Sequence, residues 1–190
     1  MRIVAGRLKG RRLRSAVVDG VRPTSDRLRE TLFNVLGPTL DGGAVLDAFA
    51  GTGALGLEAL SRGASSVTFV ERDRRAAEAL AANVRDCGAE DACAIIRDDF
   101  LTSRDRRGGT RRSSSWQHAR FDLILLDPPY DIPDLEAALA AASRVAAPGA
   151  RVVLEHRRRR ASPATVAGLR KTRVLDAGDS ALSFYLAESA

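Results

Sequence analysis

Residues 44–56 have the sequence AVLDAFAGTGALG, and this stretch decides the fold of the 190-residue chain. The apolar pair Val45 and Leu46 is typical of a buried strand, which ends at Asp47. A glycine-rich turn, Gly51–Gly56, follows and leads directly into a helical pattern. Glycines let the backbone approach a ligand closely, and a helix N-terminus offers unpaired N–H groups. The stretch therefore predicts a strand, a turn and a helix that bind a nucleotide-like molecule.

Strands and helices alternate along the rest of the chain. Besides the strand at residue 45, strands are predicted at Val67–Val70, Ala94–Ile96, Phe121–Leu126, Arg151–Leu154, Arg173–Leu175 and Leu182–Leu186. Helices are predicted from Thr24 or Ser25 to Leu36, from Leu55 to Ser61, at Ala76–Val84, at Leu135–Val145 with Pro148-Gly149 closing it, and at Ala164–Leu169. This alternation is typical of a doubly wound α/β fold. We expect a mostly parallel, seven-stranded sheet whose last two strands form an antiparallel pair.

Basic residues are concentrated in two regions. Residues 1–40 hold nine Lys and Arg against three acids, and residues 102–120 hold six Arg against one Asp, in a chain of net charge +6. Such clustering indicates a polyanionic partner such as nucleic acid. Residues 1–22 are predicted to be a basic N-terminal β-hairpin arm, and residues 23–190 the main domain. Residues 102–120 are predicted to be a flexible basic loop within that domain.

The composition also bears on compartment and metal binding. No apolar run approaches the roughly 20 residues that a membrane span needs, and no apolar segment follows the basic N-terminus as in a secretory signal. Cys87 and Cys93 fit no zinc spacing. We therefore expect a cytoplasmic protein that contacts no membrane and holds no metal.

The glycine turn satisfies the dinucleotide fingerprint G-x-G-x-x-G, and Glu71 lies 20 residues after Gly51, where that fingerprint places a ribose-binding acid. Taken alone, this pattern favours an NAD-dependent oxidoreductase. However, Asp47 stands four residues before Gly51, where a carboxylate would repel a pyrophosphate. A carboxylate there suits S-adenosylmethionine, which carries a sulfonium and an amino group and no phosphate.

Two acids, Asp98 and Asp99, follow the third strand, where a carboxylate could accept a hydrogen bond from the adenine amino group. Asp99 is the preferred candidate because Phe100 beside it could stack on the adenine. The predicted cofactor-binding residues are Asp47, Phe49, Gly51, Thr52, Gly53, Glu71, Asp99 and Phe100.

The sequence Asp127-Pro128-Pro129-Tyr130 follows the most apolar strand. Consecutive prolines fix φ and remove N–H donors, so that backbone carbonyls are presented as acceptors only. The Asp127 carboxylate and the Pro128 carbonyl can hold both hydrogens of an exocyclic amino group and align its nitrogen with a methyl donor. Tyr130 can stack on the base, a contact worth about 1–3 kcal/mol. These four residues are the predicted catalytic group.

Five stretches resemble the RsmD family. They are MRIVAGRLKGRRL at residues 1–13, RPTSDRLRETLFNVL at 22–36, LDAFAGTGALGLEALSRGA at 46–64, FDLILLDPPY at 121–130 and GDSALSFY at 178–185. The resemblance implies a Rossmann-like, class I S-adenosylmethionine-dependent methyltransferase. Its substrate would be the N2 amino group of a guanine in bacterial small-subunit (16S) ribosomal RNA, within the subunit or an assembly intermediate. It also implies that Asp127–Tyr130 are catalytic.

Six basic residues are predicted to contact RNA: Arg7, Lys9, Arg11, Arg12, Arg22 and Arg27. Arg27 could instead belong to the solvated face of its helix.

Two other functions stay open from the sequence. The motif LDPPY is shared with DNA amino-methyltransferases acting on adenine N6 or cytosine N4, although the chain has no recognisable duplex-reading domain. The second is the NAD-dependent oxidoreductase that the glycine turn would indicate.

Overall fold

The computed structural model describes residues 1–15, 26–37, 40, 42–102, 115–130 and 132–188. The helices are α1 Asp26–Leu36, α2 Ala54–Ser61, α3 Arg74–Asp86 and α4 Leu135–Ser143. The strands are β1 Ala44–Asp47, β2 Ser66–Val70, β3 Cys93–Ile96, β4 Phe121–Leu126, β5 Ala146–Arg157, β6 Thr165–Val166, β7 Leu169–Ala177 and β8 Ser180–Ala187.

The strands form one sheet in the order β3-β2-β1-β4-β5-β8-β7-β6. The first five strands in that order are parallel, and β8, β7 and β6 add to the β5 edge in antiparallel pairs. The strand order reverses between β1 and β4, which places the ligand-binding crevice of a doubly wound sheet at their carboxyl ends. The α/β, mostly parallel prediction is confirmed, but the predicted number of seven strands is wrong because the sheet has eight.

The eighth strand arises where the sequence predicted a short helix at residues 164–169. Thr165–Val166 pairs with the start of β7, with Val166 opposite Leu169. The two residues between them, Ala167 and Gly168, have φ of 47° and 79°. Positive φ at both positions is the geometry of a two-residue hairpin turn, and the β-branched pair before it favours a strand.

Pro148-Gly149 does not end a helix as predicted; it lies inside β5. The helix α4 ends at Ser143, and β5 starts at Ala146. Pairing with β4 jumps from Phe121 opposite Ala146 to Leu123 opposite Arg151. Proline in a sheet is confined to edges and bulges, and this register shift provides such a bulge.

Both faces of the sheet are buried. One face carries Val45, Phe69 and Leu125 and packs against α1, α2 and α3. The other carries Leu46, Ile124 and Leu126 and packs against α4 and the buried rings of Phe100 and Trp116. A strand buried on both sides needs a continuous apolar sequence, and β4 has FDLILL. Packing on both faces of the sheet thereby fixes the position of the carboxyl ends of its strands.

Residues 1–15, hereafter the N-terminal segment, fold back on α2. Arg2 and Arg12 form one antiparallel bridge, while Ile3, Leu8 and Leu13 are buried in the core. Gly6 is required at φ 80° because a Cβ there would lie 1.9 Å from the Ser61 carbonyl oxygen. The predicted boundary at residue 22 lies outside the described residues and stays a prediction.

Candidate active site

An acidic side chain stands at or next to the carboxyl end of each of the first five strands. Asp47 ends β1, Glu71 follows β2, Asp98 and Asp99 follow β3, Asp127 follows β4, and Glu155 lies near the end of β5. The strands are parallel, so these acids line one edge of the sheet around the reversal between β1 and β4. An edge with this charge favours a cationic ligand over a phosphate.

The glycine turn after β1 combines open space with close packing. A Cβ on Gly51 would meet no atom within 4 Å, whereas one on Gly53 or Gly56 would lie 2.3 Å from a Leu80 or Phe69 side-chain atom. Gly53, with φ of 83°, is the residue from which α2 begins. Gly51 thus leaves room for a ligand, and the other two glycines allow α2 to pack closely on the sheet.

Asp47 is buried, with 1% of its surface exposed. Its Oδ2 accepts a hydrogen bond of 2.9 Å from the Gly56 N–H, and its Oδ1 has no hydrogen-bond partner among the described residues. Burial, opposed by the Gly56 N–H and assisted by the charges of Asp127 and Glu71, raises the pKa of Asp47 to about 7. A buried acceptor without a partner is costly, and a bound donor would relieve that cost.

Glu71 is joined to the glycine turn. Its Oε2 accepts from the Gly51 N–H at 2.7 Å, and its Oε1 accepts from the Asp73 N–H at 2.7 Å. An ionised carboxylate has about four acceptor sites, so both bonds leave capacity for ribose hydroxyls. The predicted ribose acid therefore also sets the position of the turn.

Asp99 shapes the turn that follows β3. Its Oδ1 accepts from the N–H groups of Leu101 and Thr102, and its Oδ2 lies 3.5 Å from the Arg72 guanidinium. Burial raises the pKa of Asp99, but these N–H groups and Arg72 outweigh it and hold the pKa below its ordinary value. The neighbouring Asp98 carboxylate accepts from the Asp99 N–H. Asp99 is charged and close to the predicted cofactor site, with both oxygens already engaged.

Three aromatic rings pack together beside Asp99. Phe100 is buried, stacks on Trp116 with centroids 5.3 Å apart, and meets the Phe49 ring edge-on at 5.5 Å. Trp116 thus covers one face of the Phe100 ring, and the stacking of Phe100 on adenine stays a prediction. Phe49 is the partly exposed ring of the three. The Trp116 Nε1 group is buried without a hydrogen-bond partner in the described part of the chain.

Tyr130 is fixed at its hydroxyl and at its ring. The hydroxyl lies 2.6 Å from the Ser180 Oγ and donates to Glu155 Oε1 at 3.2 Å. The Arg157 guanidinium lies 5.2 Å from the ring centroid. Arg160 donates to the carbonyls of Ile132 and Pro133 and so holds the segment that follows Tyr130.

Asp127 and Glu155 lie side by side. Leu126 of β4 pairs with Leu154 of β5, so the next residue on each strand is a carboxylic acid. Burial, followed by the Asp127 charge, raises the pKa of Glu155 to about 8, so the two side chains interact. His156, one residue further, is buried and bonds Ser183 Oγ and the Arg157 carbonyl through its ring nitrogens. It is therefore a structural polar group and not a candidate base.

The N-terminal segment has exposed basic residues and buried apolar ones, Ile3, Leu8 and Leu13. Arg7, Lys9, Arg11 and Arg12 are exposed, as is Arg27 on α1. Arg22 lies outside the described residues. Asn83 of α3 joins the segment to the glycine turn, because its side chain exchanges hydrogen bonds with the Arg14 backbone and donates to the Thr52 carbonyl at 2.9 Å.

Four residues of the site were missed by the sequence reasoning: Glu155, Arg157, Ser180 and Asn83. One signal was available for Glu155, since it follows an apolar strand as Asp127 does. Ser180 and Asn83 gave no signal, because they come from β8 and α3 and meet the site only through the tertiary fold.

Thiol, metal and membrane chemistry gain no support from the described residues. Burial raises the pKa of Cys93 to about 11, so it carries no thiolate at neutral pH. In the part of the chain that the structure describes, no three potential metal ligands come together. Among the same residues, no helix has the length and apolar character of a membrane span.

Comparison with known proteins agrees with this geometry. The family described as Conserved hypothetical protein 95 matches residues 1–186. Ribosomal RNA small subunit methyltransferase D of Haemophilus influenzae is 40% identical over 144 residues, which cover 74% of this chain and 69% of that protein. The chain belongs to this family. The predicted membership of the RsmD family is thereby confirmed.

Two further relatives cover almost the whole chain. The “Putative rRNA methyltransferase YlbH” of Bacillus subtilis is 35% identical over 97% of this chain and 98% of its own. The solved structure of the “Putative methyltransferase yhhF” from Escherichia coli superposes with a TM-score of 0.81 and 33% identity over 100% of this chain and 99% of its own. The predicted S-adenosylmethionine-dependent methyltransferase fold is confirmed, and an NAD-dependent oxidoreductase is disfavoured.

Proposed function

We propose that this protein transfers a methyl group from S-adenosylmethionine to the N2 amino group of a guanine in small-subunit ribosomal RNA. The observation that carries the proposal is the juxtaposition of Asp127-Pro128-Pro129-Tyr130 with the glycine turn at the reversal of strand order. The names of the family's relatives support ribosomal RNA as the substrate. The amino-group chemistry of the motif supports an exocyclic nitrogen. The cytoplasm is the compartment in which we expect this reaction.

The residues present fit S-adenosylmethionine. Asp47 offers a buried oxygen without a partner among the described residues, Gly51 leaves open space, and Glu71 retains acceptor capacity. The acids along the sheet edge match a sulfonium and an ammonium group. We infer that Asp47 and Gly51–Gly53 hold the methionine part, and Glu71 the ribose, with Phe49 and Asp99 beside the adenine. When bound, the cofactor supplies an electrophilic methyl group.

The protein's own residues orient the base. The Asp127 carboxylate and the Pro128 carbonyl accept the two hydrogens of the amino group, which directs the nitrogen lone pair towards the cofactor side of the cleft. The Tyr130 ring, held by Glu155, Ser180 and Arg157, is the surface on which the base stacks. The target guanine must leave its stack to reach this site. No protein side chain is needed as a general base, because the methylated amine is cationic and loses its proton readily.

The test is to incubate the protein with labelled S-adenosylmethionine and ribosomal RNA, small subunits or DNA, and to identify the labelled nucleoside by mass spectrometry. We expect N2-methylguanosine from ribosomal RNA. Label in N6-methyladenine or N4-methylcytosine of DNA would refute the proposed substrate and favour the DNA amino-methyltransferase.

Cofactor affinity should fall as the pH drops through about 7. Burial chiefly raises the pKa of Asp47 to about 7, so below that value a bound cation must displace its proton. The loss should approach roughly tenfold per pH unit. Calorimetry in buffers of different ionisation enthalpy measures the released proton. Asp47→Asn should bind more weakly and without this pH dependence; an unchanged pH dependence in that variant would exclude Asp47 as its source.

RNA affinity should depend on the N-terminal segment. We expect RNA binding by the double variant Lys9→Ala/Arg12→Ala to depend less on salt. The slope of log Kd against log salt concentration should fall by about one for each side chain that no longer pairs with a phosphate. Filter binding across a salt series measures this slope. Arg74→Ala is the control, because Arg74 is an exposed cation that already pairs with Glu78. An equal effect of the control would show that general surface charge, and not this segment, binds RNA.

A further inference from the structure

Glu155 is a buried acid whose contacts extend beyond the Tyr130 hydroxyl. Only 6% of its surface is exposed, and the strand register places it next to Asp127. Its carboxyl group lies within hydrogen-bonding reach of the Asp127 side chain and accepts a hydrogen bond from the Tyr130 hydroxyl at 3.2 Å. The Tyr130 hydroxyl in turn lies 2.6 Å from the Ser180 Oγ. One side chain therefore contacts two members of the catalytic motif.

Two adjacent carboxyl groups, of which one is buried as Glu155 is, do not both ionise readily, and they titrate as a pair that shares one proton. Burial, followed by the Asp127 charge, raises the pKa of Glu155 to about 8. Among the described residues, the groups that face the pair include Tyr130 from the segment after β4, Ser180 from β8, and Asp47 at the end of β1, whose charge interacts with that of Asp127. On β5 itself, Arg157 contacts the Tyr130 ring. The raised pKa assigns the shared proton to Glu155, which leaves Asp127 as the acceptor of the proposed substrate amine.

We propose that Glu155 is a positioning residue, whose protonated carboxyl donates a hydrogen bond to one Asp127 oxygen and leaves the other oxygen for the substrate amino group. The inference rests on the proposed function for its catalytic consequence. A protonated carboxyl has one donor and retains acceptor capacity. Glu155 can therefore donate to Asp127 while it accepts from Tyr130, which fixes the amine acceptor relative to the stacking ring.

Kinetics of two variants test this role. Glu155→Gln keeps an N–H donor and an oxygen acceptor, so its kcat at pH 7 should stay within about threefold of wild type. Glu155→Ala removes both and should lower kcat by about tenfold or more, with KM for the cofactor little changed. Glu136→Gln, an exposed acid on α4, is the matched control. Equal loss in Glu155→Gln and Glu155→Ala would overturn the proposal, because an ionised Glu155 would then be required.

The pH profile separates positioning from a merely structural role. In the wild type, kcat should fall above about pH 8, where the pair loses its proton and two carboxylates repel. Glu155→Gln should lack that decline, since an amide cannot be deprotonated there. The same alkaline decline in both proteins would contradict the role of Glu155.

Infrared spectroscopy detects the proton on Glu155 directly and does not require methyl transfer. The spectrum of wild type minus that of Glu155→Gln at pH 7 should contain the carbonyl stretch of one protonated carboxylic acid, because the partly protonated Asp47, with a pKa of about 7, is common to both proteins and cancels. In Asp127→Asn the Glu155 band should titrate at lower pH. No difference between wild type and Glu155→Gln would overturn the proposal even if methyl transfer is observed. Conversely, a wild-type protein that shows the band but methylates no RNA would refute the proposed function alone.

Discussion

Asp127→Ala should lose methyl transfer while retaining cofactor binding. The carboxylate is the group that holds the amino hydrogens, and without it the nitrogen is no longer aligned with the methyl group. The loss of one such orienting group costs roughly 10²–10³-fold in kcat. Cofactor affinity should stay equal or rise slightly. Burial is the main cause of the raised pKa of Asp47, but the Asp127 charge adds to it, and the variant removes that charge.

Single-turnover transfer of labelled methyl to ribosomal RNA, with calorimetry of cofactor binding alongside, measures both effects. Asp176→Ala is the control, because Asp176 is an exposed acid on β7 that pairs only with the exposed Arg158 among the described residues. Full activity in Asp127→Ala would end the assignment of this residue.

The sheet edge was predictable from local sequence. Each buried strand is a short apolar run, and the acid that follows it is visible in the chain as Asp47, Glu71, Asp99 or Asp127. Parallel strands end at one edge, so acids that are far apart in sequence had to converge. The glycine spacing indicated the turn, and Asp47 decided between a cationic cofactor and a pyrophosphate.

Contacts made through the tertiary fold were not predictable in this way. Glu155 depends on the β4–β5 register, and Asn83 on the packing of α3 against residues 69 and 31 positions away. The helix predicted at residues 164–169 failed for a local reason. Ala167 adopts positive φ, which alanine rarely does, so the hairpin turn carried no Asn-Gly or Asp-Gly signal.

The N-terminal segment, predicted as part of a basic β-hairpin arm, is tied to the core by a buried acid. Glu58 of α2 has no exposed surface. Its Oε2 accepts from the Val4 N–H at 2.7 Å, and its Oε1 accepts from the Ala5 N–H at 3.0 Å and from Arg62 Nε at 2.8 Å. Arg29 of α1, also buried, lies 4.0 Å from the same carboxylate. One carboxylate thus neutralises buried guanidinium charge and anchors two backbone N–H groups.

Glu58→Ala should therefore lower the free energy of unfolding by about 3–5 kcal/mol, because it leaves buried cations without their counter-charge. Urea unfolding measures the change, and the control is Glu78→Ala, which breaks the exposed Arg74–Glu78 pair and should change the free energy of unfolding far less, because solvent screens that pair. Amide exchange at Val4 and Ala5 should accelerate in Glu58→Ala alone. A loss of stability no larger than that of the control would mean that burial of Ile3, Leu8 and Leu13 suffices to hold the segment. The basic residues would then be positioned by apolar packing and not by the Glu58 carboxylate.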